Sequence, residues 1–210
     1  MEIFEYGKRE IDYLSRCDEA LGSVIGRVGR IERKVTPDLF VALTESIIGQ
    51  QISNRAMERV VGRFRALLGP VTPERVLRTG RSAIKECGMS FRKADYILTA
   101  AQAFFEGRIK ESDLVGLTDQ EVIARLTQLP GVGVWTAEML LLFSMRRPDV
   151  LSYNDLIIRR SLMTLHGLSE MTRADFDRYR RLYSPYGSVA SLYLWAADKL
   201  PMRDVVGECR

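Results

Sequence analysis

The stretch that decides the fold runs from Leu126 to Arg160 and reads LTQLPGVGVWTAEMLLLFSMRRPDVLSYNDLIIRR. A helix that begins near Thr118 should end near Gln128, because the segment LPGVG follows at residues 129–133. Two glycines within three residues let the backbone turn sharply with its amides facing outward. A second, strongly apolar helix should then begin at Val134.

The amides of this turn lie at the N-terminus of the second helix. A helix N-terminus carries partial positive charge and N–H groups that favour an anion. A phosphate is the natural ligand, because glycine amides can be approached closely. The alternative is an ordinary corner between two helices, since glycine-rich corners are common. Both interpretations stay open on the local sequence.

Asp155 is the second informative residue of the stretch. It lies 22 residues beyond Gly133 and directly before the apolar segment 156–158. An aspartate at this place is either the N-cap of a helix, worth about 1 kcal/mol, or a carboxylate with a chemical role. A helix dipole favours a negative charge at such a position.

The rest of the chain indicates helix after helix. Capping oxygens precede apolar stretches at Thr36, Thr72, Thr118 and Thr172. Helices should end at Gly69, Gly80, Gly88, Gly107 and Gly167. We expect roughly eleven or twelve helices joined by short loops. Residues 24–35 carry a weak strand pattern, and the ends, about 1–8 and 202–210, should be frayed.

Composition excludes several classes of protein. The chain has 210 residues, 46% of them hydrophobic, and a net charge of +4, which permits a nucleic-acid partner without arguing for one. His166 is the single histidine and the three cysteines lie 70 and 122 residues apart, so most catalytic zinc sites are excluded and an iron–sulfur cluster is unsupported. The start lacks a signal-peptide core, and the longest apolar run, residues 139–143, is too short to span a bilayer.

The turn and the aspartate together resemble a known family. LPGVG followed by a helix is similar to the helix-hairpin-helix element, which binds the DNA backbone without reading bases. With a carboxylate at the distance of Asp155, it resembles the HhH-GPD superfamily of DNA base-excision glycosylases. Residues 47–56, IIGQQISNRA, look like that family's pocket mouth, and residues 185–195, PYGSVASLYLW, look like its C-terminal helix. The match spans residues 10 to 200 and is nearest to the 3-methyladenine DNA glycosylase II, or alkylpurine, branch.

The resemblance implies an all-α fold, a two-lobed helical bundle with a helix-hairpin-helix and an active-site cleft between the lobes. One glycosylase unit would span residues 1–210, with lobe A at 36–130, the helix-hairpin-helix at 118–147, and lobe B formed by 1–35 and 148–210. The N-terminal β domain that alkylpurine enzymes often carry is not expected, because too few residues precede the first of these lobes.

The resemblance also assigns roles to individual residues. Asp155 corresponds to the catalytic aspartate, and Gln51 to the wedge that fills the hole left by a flipped base. The base pocket would be lined by Trp135, Trp195, Gln50, Tyr153 and Met139. The DNA backbone would be bound by the hairpin residues Leu129, Gly131, Val132, Gly133, Val134 and Thr136.

For three of the expected pocket residues, the role does not follow directly from the pattern of the family. Trp135 stands where the lyase branch of the family has a lysine, so a monofunctional enzyme with water as its nucleophile is expected. Met139 stands where the well-studied alkylpurine enzymes have a tyrosine, which removes one ring that would stack on a cationic base. Tyr153 either offers a further ring face or packs in its own loop.

The reaction implied is hydrolysis of the N-glycosidic bond of a purine of the 3-methyladenine or 7-methylguanine type. Its transition state carries positive charge on the deoxyribose, which the carboxylate of Asp155 would stabilise while it orients the attacking water. We expect no cofactor, no iron–sulfur cluster and no metal held by side chains. A structural Na⁺ or K⁺ at the hairpin carbonyls is the one ion that the resemblance allows.

The expected partner is double-stranded DNA containing damaged bases, bound by a monomer that does not associate with membranes. The protein would work in the cytoplasm of a prokaryote, at the nucleoid, or in a eukaryotic nucleus. Two alternatives stay open: a glycosylase for hypoxanthine, uracil or an oxidised purine, and a non-catalytic helix-hairpin-helix protein that binds distorted DNA. Seven arginines either form a solvated face or contact phosphates: Arg146, Arg147, Arg159, Arg160, Arg178, Arg180 and Arg181.

Overall fold

The computed structural model describes residues 2–201, and over that range the chain forms thirteen helices. The first seven are α1 (Lys8–Cys17), α2 (Glu19–Val28), α3 (Leu39–Gly49), α4 (Asn54–Leu68), α5 (Pro73–Thr79), α6 (Arg81–Glu86) and α7 (Phe91–Phe105). The other six are α8 (Glu111–Leu114), α9 (Asp119–Leu126), α10 (Val134–Phe143), α11 (Leu156–His166), α12 (Arg173–Tyr183) and α13 (Gly187–Ala197). The prediction of an all-α fold is confirmed.

Most of the predicted helix ends are confirmed. Side-chain oxygens of Thr72, Thr118 and Thr172 accept hydrogen bonds from amides in the first turns of α5, α9 and α12. Gly69, Gly80 and Gly167 are the C-caps of α4, α5 and α11. These ends depend on residues within a few positions of one another, which is why the local sequence predicts them.

The helix predicted to follow Thr36 begins later than expected. Asp38 is the N-cap of α3, and its Oδ1 accepts a hydrogen bond from the amide of Val41 at 2.9 Å. The amide of Thr36 donates instead to the carbonyl of Phe143 at 2.9 Å. Aspartate is at least as good an N-cap as threonine, and it lies next to the apolar stretch, so it sets the start of the helix.

The weak strand pattern at residues 24–35 does not produce a strand in the described chain. Helix α2 continues to Val28, and the described chain has only an isolated antiparallel bridge beyond it, between Lys34 and Ile3. The helix count also exceeds the expectation, because Gly80 alone separates α5 from α6 and because α8 has only four residues.

The N-terminal residues are ordered by this bridge rather than frayed. The amide of Phe4 donates to the carbonyl of Arg33 at 2.7 Å, and the amide of Val35 donates to the carbonyl of Glu2 at 3.1 Å. Phe4 is 4% exposed, so the segment also contributes to a core. The fraying expected at 202–210 concerns residues outside the described range.

Chain contacts divide the molecule into two units. The hairpin unit is Thr36–Met145, and the aspartate unit combines Met1–Val35 with Arg146–Arg210. Within the hairpin unit α7 packs against α3, α5 and α6, and α10 packs against α9 and α3. Within the aspartate unit α13 packs against α2 and α11.

Helix α13 is the most deeply buried helix of the aspartate unit. Nine of its eleven residues are buried, as expected for a helix that is apolar all round. Its burial fixes the backbone that carries Trp195 beside α11, the helix that begins after Asp155. None of the described helices has the combined length and hydropathy that crossing a bilayer requires.

Candidate functional site

Asp155 is the N-cap of α11, and both oxygens of its carboxylate accept hydrogen bonds. Its Oδ1 accepts from the amides of Ile157 at 2.9 Å and Ile158 at 3.0 Å. Its Oδ2 accepts from the indole Nε1 of Trp195 at 3.1 Å. The N-cap interpretation is therefore confirmed, and a second oxygen of the same carboxylate meets a residue that the resemblance assigns to the pocket.

Asp155 is only 5% exposed, which is unusual for an acidic side chain. Burial of a carboxylate is costly unless donors surround it, and two amides, one indole N–H and the N-terminal end of a helix dipole lie on its acceptor positions. The arrangement holds the carboxylate in one orientation. A fixed, water-poor carboxylate of this kind can stabilise a positive charge that develops nearby.

The pairing of α11 with α13 keeps Trp195 beside Asp155. Ser161 Oγ, in α11, donates to the carbonyl of Leu194 at 2.7 Å. Arg160 forms a two-pronged ion pair with Asp198, with Nε–Oδ1 at 2.6 Å and a second N–H···O bond at 2.7 Å. These contacts lie on either side of Trp195 in sequence, so they fix the position of the indole.

The segment before Asp155 is fastened to the start of α13. Asp149 accepts hydrogen bonds from Ser184 Oγ at 2.7 Å and from the amide of Gly187 at 3.0 Å. A Cβ at position 187 would lie 2.7 Å from Asp149 Oδ1, so glycine is required there. Ser191 Oγ donates to the carbonyl of Val150 at 2.8 Å. Ser184, just before α13, and Gly187 and Ser191, in its first half, therefore anchor the loop that leads to Asp155.

Tyr153 packs within its loop. Its ring meets Phe176 edge-on with centroids 5.2 Å apart. The guanidinium groups of Arg159 and Arg173 lie 5.0 and 4.9 Å from the centre of the Tyr153 ring. Because cations and a second ring already surround it, these contacts favour the packing alternative for Tyr153 over a base-stacking role.

The hairpin turn, residues 129–133, joins α9 to α10 as the sequence predicts. Gly131 has φ +83°, and a Cβ at this position would lie 2.2 Å from the ring of Tyr96, so a side chain is excluded twice over. Gly133 differs: its φ is −90° and an added Cβ would meet nothing within 4 Å. No contact within the described chain therefore explains a glycine at position 133.

The remaining hairpin residues divide into buried and exposed. Leu129 and Val132 are buried, and so is Thr136 in the first turn of α10. Val134 and Trp135 are 44% and 42% exposed, which is high for large apolar side chains. Exposure at the start of α10 leaves the Trp135 ring accessible to another molecule.

Gln50 and Gln51 follow α3 in a turn that touches the hairpin. Gln50 Nε2 donates to the carbonyl of Gly131 at 2.8 Å. Gln51 is exposed and has φ +58°, in the left-handed region that non-glycine residues seldom occupy. Met139, the other predicted pocket residue of this unit, is buried at 8% exposure in α10.

Lys93 matches no sequence motif, yet the structure places it at the turn of Gln50 and Gln51. Its Nζ donates to the carbonyls of Ile48 at 2.7 Å and Gln50 at 2.6 Å. Burial lowers the pKa of its ammonium group below the usual value. These contacts join positions more than forty residues apart, so no local motif could have indicated them.

Several of the clustered arginines are engaged within the fold. Arg146 pairs with Glu2 at 2.6 Å, and the pairing of Arg160 is described above. Arg180 donates to the carbonyl of Leu151 at 3.0 Å, and Arg178 donates to the hydroxyl of Tyr179 at 3.0 Å. These four side chains support the fold of the aspartate unit, which reduces the set of candidates for phosphate contacts.

The hairpin carbonyls are compatible with the predicted Na⁺ or K⁺. The carbonyl of Leu129 accepts from the amide of Val132 at 3.1 Å, and that of Gly131 accepts from Gln50. Each carbonyl oxygen has two lone pairs, and hard cations prefer oxygen ligands. Among residues 2–201 no group of three or more His, Cys, Asp or Glu side chains is placed to hold a metal ion.

Comparisons with known proteins show which family the chain resembles over most of its length. A model of the "HhH-GPD superfamily base excision DNA repair protein" family matches residues 44–185. DNA-3-methyladenine glycosylase 1 of Schizosaccharomyces pombe is 32% identical over 203 residues, which cover 92% of this chain and 88% of the relative. DNA-3-methyladenine glycosylase 2 of Escherichia coli is 27% identical over 172 residues, which cover 77% and 58%.

Two solved structures resemble the whole chain. The DNA-3-methyladenine glycosidase of Bacillus halodurans superposes with a TM-score of 0.82 at 33% identity, covering 95% of this chain and 93% of its own. The 3-methyladenine DNA glycosylase of Schizosaccharomyces pombe, in complex with abasic DNA, superposes with a TM-score of 0.83 at 30% identity, covering 93% and 98%.

Proposed function

The chain belongs to the HhH-GPD superfamily of base excision DNA repair proteins, and we propose that it is a monofunctional glycosylase that removes alkylated purines from double-stranded DNA. The observation that carries the mechanism is the buried carboxylate of Asp155, fixed by Trp195 and two amides. The substrate class follows from the relatives, which are named 3-methyladenine DNA glycosylases.

Asp155 acts on the sugar rather than on the base. As the bond between C1′ and the purine nitrogen breaks, the base leaves with the electron pair and positive charge builds on the deoxyribose. The carboxylate stabilises this charge and orients a water molecule, whose oxygen forms the new bond to C1′ while one of its protons passes to the carboxylate. Methylation at N3 or N7 makes the purine cationic, so it leaves as a neutral base and needs little further activation.

The hairpin turn binds the phosphate backbone near the lesion. The turn leads into the N-terminus of α10, where the helix dipole and the first amides of the helix favour an anion. Gly133 has no neighbour of its own within 4 Å of a Cβ position, which fits a site that another molecule approaches closely. Leu129 and Val132 contribute through burial, which fixes the turn.

The damaged base must leave the duplex before Asp155 can reach C1′. The exposed Gln51 fills the hole, and Gln50 lines the mouth of the base pocket. The exposed ring of Trp135 attracts a cationic base through its π face. Met139 gives the pocket an apolar wall where related enzymes have a ring.

Water, and not a lysine, is the nucleophile. The lyase position holds Trp135, and Lys93 directs its Nζ at two backbone carbonyls. The reaction needs no bound cofactor, while a Na⁺ or K⁺ at the hairpin carbonyls would support the turn that holds a phosphate. The enzyme acts as a monomer and works where the DNA is, at a nucleoid or in a nucleus.

The variant Asp155→Asn tests the mechanism. Asparagine caps helices about as well as aspartate, so the fold and the binding to duplex DNA should persist, while release of 3-methyladenine from alkylated DNA should be lost. Asp38→Asn is the matched control, because Asp38 is also an N-cap but lies in the hairpin unit. Full excision by Asp155→Asn would refute the role of the carboxylate.

The same assay separates the alternatives. A panel of duplexes with one 7-methylguanine, hypoxanthine, uracil or oxidised purine identifies the lesion, and alkylated purines should be released fastest. A wild-type protein that binds an abasic analogue but releases no base would be a non-catalytic binder. Borohydride should trap no covalent complex with DNA, and trapping that survives loss of the N-terminal amine would reveal a lyase.

A further inference from the structure

One side chain of α7, that of Lys93, holds the turn that carries Gln51. Helix α3 ends at Gly49, and the last carbonyls of a helix need donors from elsewhere. Lys93 Nζ supplies hydrogen bonds to the carbonyls of Ile48 and Gln50, at 2.7 and 2.6 Å. The second of these carbonyls belongs to the peptide that leads into Gln51. The ammonium group therefore fixes the helix end and the turn at once.

The same face of α7 touches the hairpin. Tyr96 lies three residues after Lys93, so the two side chains share one side of the helix, and its ring packs so tightly against Gly131 that a Cβ there would lie 2.2 Å away. Gln50 Nε2 adds a direct contact between the two turns, because it donates to the carbonyl of Gly131 at 2.8 Å. Lys93, Gln50, Gly131 and Tyr96 thus connect the turn of Gln51 to the hairpin turn.

The turn is also confined from its other side. A Cβ at Gly49 would lie 2.7 Å from Met57 Sδ, so α4 packs directly on the end of α3. Gln51 holds φ +58°, a conformation that persists in a non-glycine residue only where the surroundings impose it. The carbonyl of Ile48 belongs to α3 itself, whereas the carbonyl of Gln50 lies beyond the last helical residue. The bond to Gln50 therefore links Lys93 to the turn as well as to the helix end.

We infer that Lys93 is a positioning residue for base flipping, which sets the Gln51 turn at a fixed distance from the hairpin turn, an inference that rests on the proposed glycosylase function. The hairpin holds the phosphate backbone, and Gln51 enters the stack. Because the distance between the hairpin turn and the Gln51 turn is fixed, binding of the phosphate backbone at the hairpin also places Gln51 at the base stack. Without Lys93 the turn loses two donors, and the wedge enters less often.

The test compares excision from DNA that needs a wedge with excision from DNA that does not. Lys93→Met should slow single-turnover release of 7-methylguanine from a paired duplex by roughly tenfold, because small misplacements at a site are costly in rate. When the lesion lies opposite an abasic gap, flipping is already easier, and the two proteins should differ by less than about twofold. Lys93→Arg, which keeps a cationic donor, should restore most of the rate on the paired duplex.

Two controls keep the outcomes distinct. Lys85→Met removes a lysine of the same unit whose Nζ lies over the Phe91 ring, and it should leave both rates unchanged. Fluorescence of 2-aminopurine beside the lesion, measured in the Asp155→Asn background, reports flipping without excision and should fall with Lys93→Met.

Each result bears on one idea. Equal slowing on both DNAs with unchanged fluorescence, or no slowing on either, would overturn the positioning role. If Lys93→Met does not fold, Lys93→Gln takes its place and is judged by the same criteria: slowing confined to the paired duplex supports the positioning role, and equal slowing on both DNAs, or none on either, overturns it. A wild-type protein that releases no base at all would instead refute the proposed function.

Discussion

Trp195 Nε1 and Asp155 Oδ2 lie 3.1 Å apart, although 40 positions separate the two residues in the chain. The other oxygen of the carboxylate is held by the amides of Ile157 and Ile158. The carboxylate is therefore oriented by two different helices, its own and α13. A tryptophan expected to stack on the base therefore also holds the carboxylate that we propose as catalytic.

Trp195→Phe should slow excision without unfolding the protein. Phenylalanine keeps much of the ring contact but removes the N–H, and a hydrogen bond to a charged group is worth about 1.5–3 kcal/mol. If part of that orientation is needed in the transition state, the single-turnover rate on 7-methylguanine duplex should fall by roughly tenfold. The melting temperature should fall by several degrees, because the same hydrogen bond also stabilises the folded state, but the protein should stay folded at the assay temperature. An unchanged rate would show that the indole N–H does not assist Asp155.

The two hairpin glycines should respond in opposite ways to alanine. Gly131→Ala should fail to fold or lose several degrees of melting temperature, because its φ is +83° and Tyr96 occupies the space. Gly133→Ala should fold at least as well as the wild type, since nothing lies within 4 Å of the new methyl group. Its affinity for duplex DNA should nevertheless fall by roughly tenfold or more, because a phosphate can no longer approach the amides.

Gly62→Ala is the matched control for the hairpin. A Cβ at Gly62 also meets nothing within 4 Å, but this glycine lies inside α4. It should raise stability slightly and leave DNA affinity as it is. Fluorescence anisotropy with an abasic duplex measures all three variants, and equal affinities of Gly133→Ala and Gly62→Ala would contradict backbone binding at the hairpin.

Tyr153→Leu should affect stability rather than lesion choice. The Tyr153 ring contacts Phe176, Arg159 and Arg173, and aromatic and cation–π contacts of this kind are worth about 0.5–1.5 kcal/mol each. The urea midpoint should therefore decrease. The ratio of excision rates on 7-methylguanine and hypoxanthine duplexes should stay constant, and a shift in that ratio would return Tyr153 to the base pocket.

Acid should destabilise the aspartate unit through Asp18. Burial alone would raise the pKa of this carboxyl, but the contact of His166 Nε2 with Oδ2 at 3.1 Å, the hydrogen bond from Tyr183 Oη at 2.5 Å and that from the amide of Leu21 outweigh it and lower the pKa below its usual value. The contribution to stability is thus complete above the pKa of the unfolded chain and disappears as the pH falls through the lower, folded value. Burial and the charge of Asp18 also raise the pKa of the neighbouring thiol of Cys17.

Asp18→Asn isolates this contribution. Asparagine keeps an N-cap for α2 but does not titrate, and loss of a charged, buried hydrogen-bond acceptor should cost about 1–3 kcal/mol at neutral pH. Urea unfolding from about pH 7 down to about pH 3 should show the difference between the two proteins narrowing below about pH 4. A difference that stays constant with pH would mean that Asp18 is not the titrating group.

Local patterns predicted the parts of the site that local contacts create. The cap at Thr118 and the start of α10 at Val134 follow from residues a few positions apart, and both are confirmed. Asp38 displaced Thr36 as a cap because the two compete within the same few residues. Local sequence does not predict contacts between distant segments. No residue near Lys93 indicates that it binds the end of α3, and no residue near Gly131 indicates that the ring of Tyr96 packs against it.

Gly133 also bears on how variants of this protein would be judged. A screen that scores only expression or heat resistance would accept alanine at position 133 and reject it at position 131, since the fold depends on one glycine and not on the other. Under the proposed function, selection for thermal stability alone would therefore accept variants that stay folded on heating but bind DNA weakly. DNA affinity and thermal stability thus depend on different glycines of the same five-residue turn.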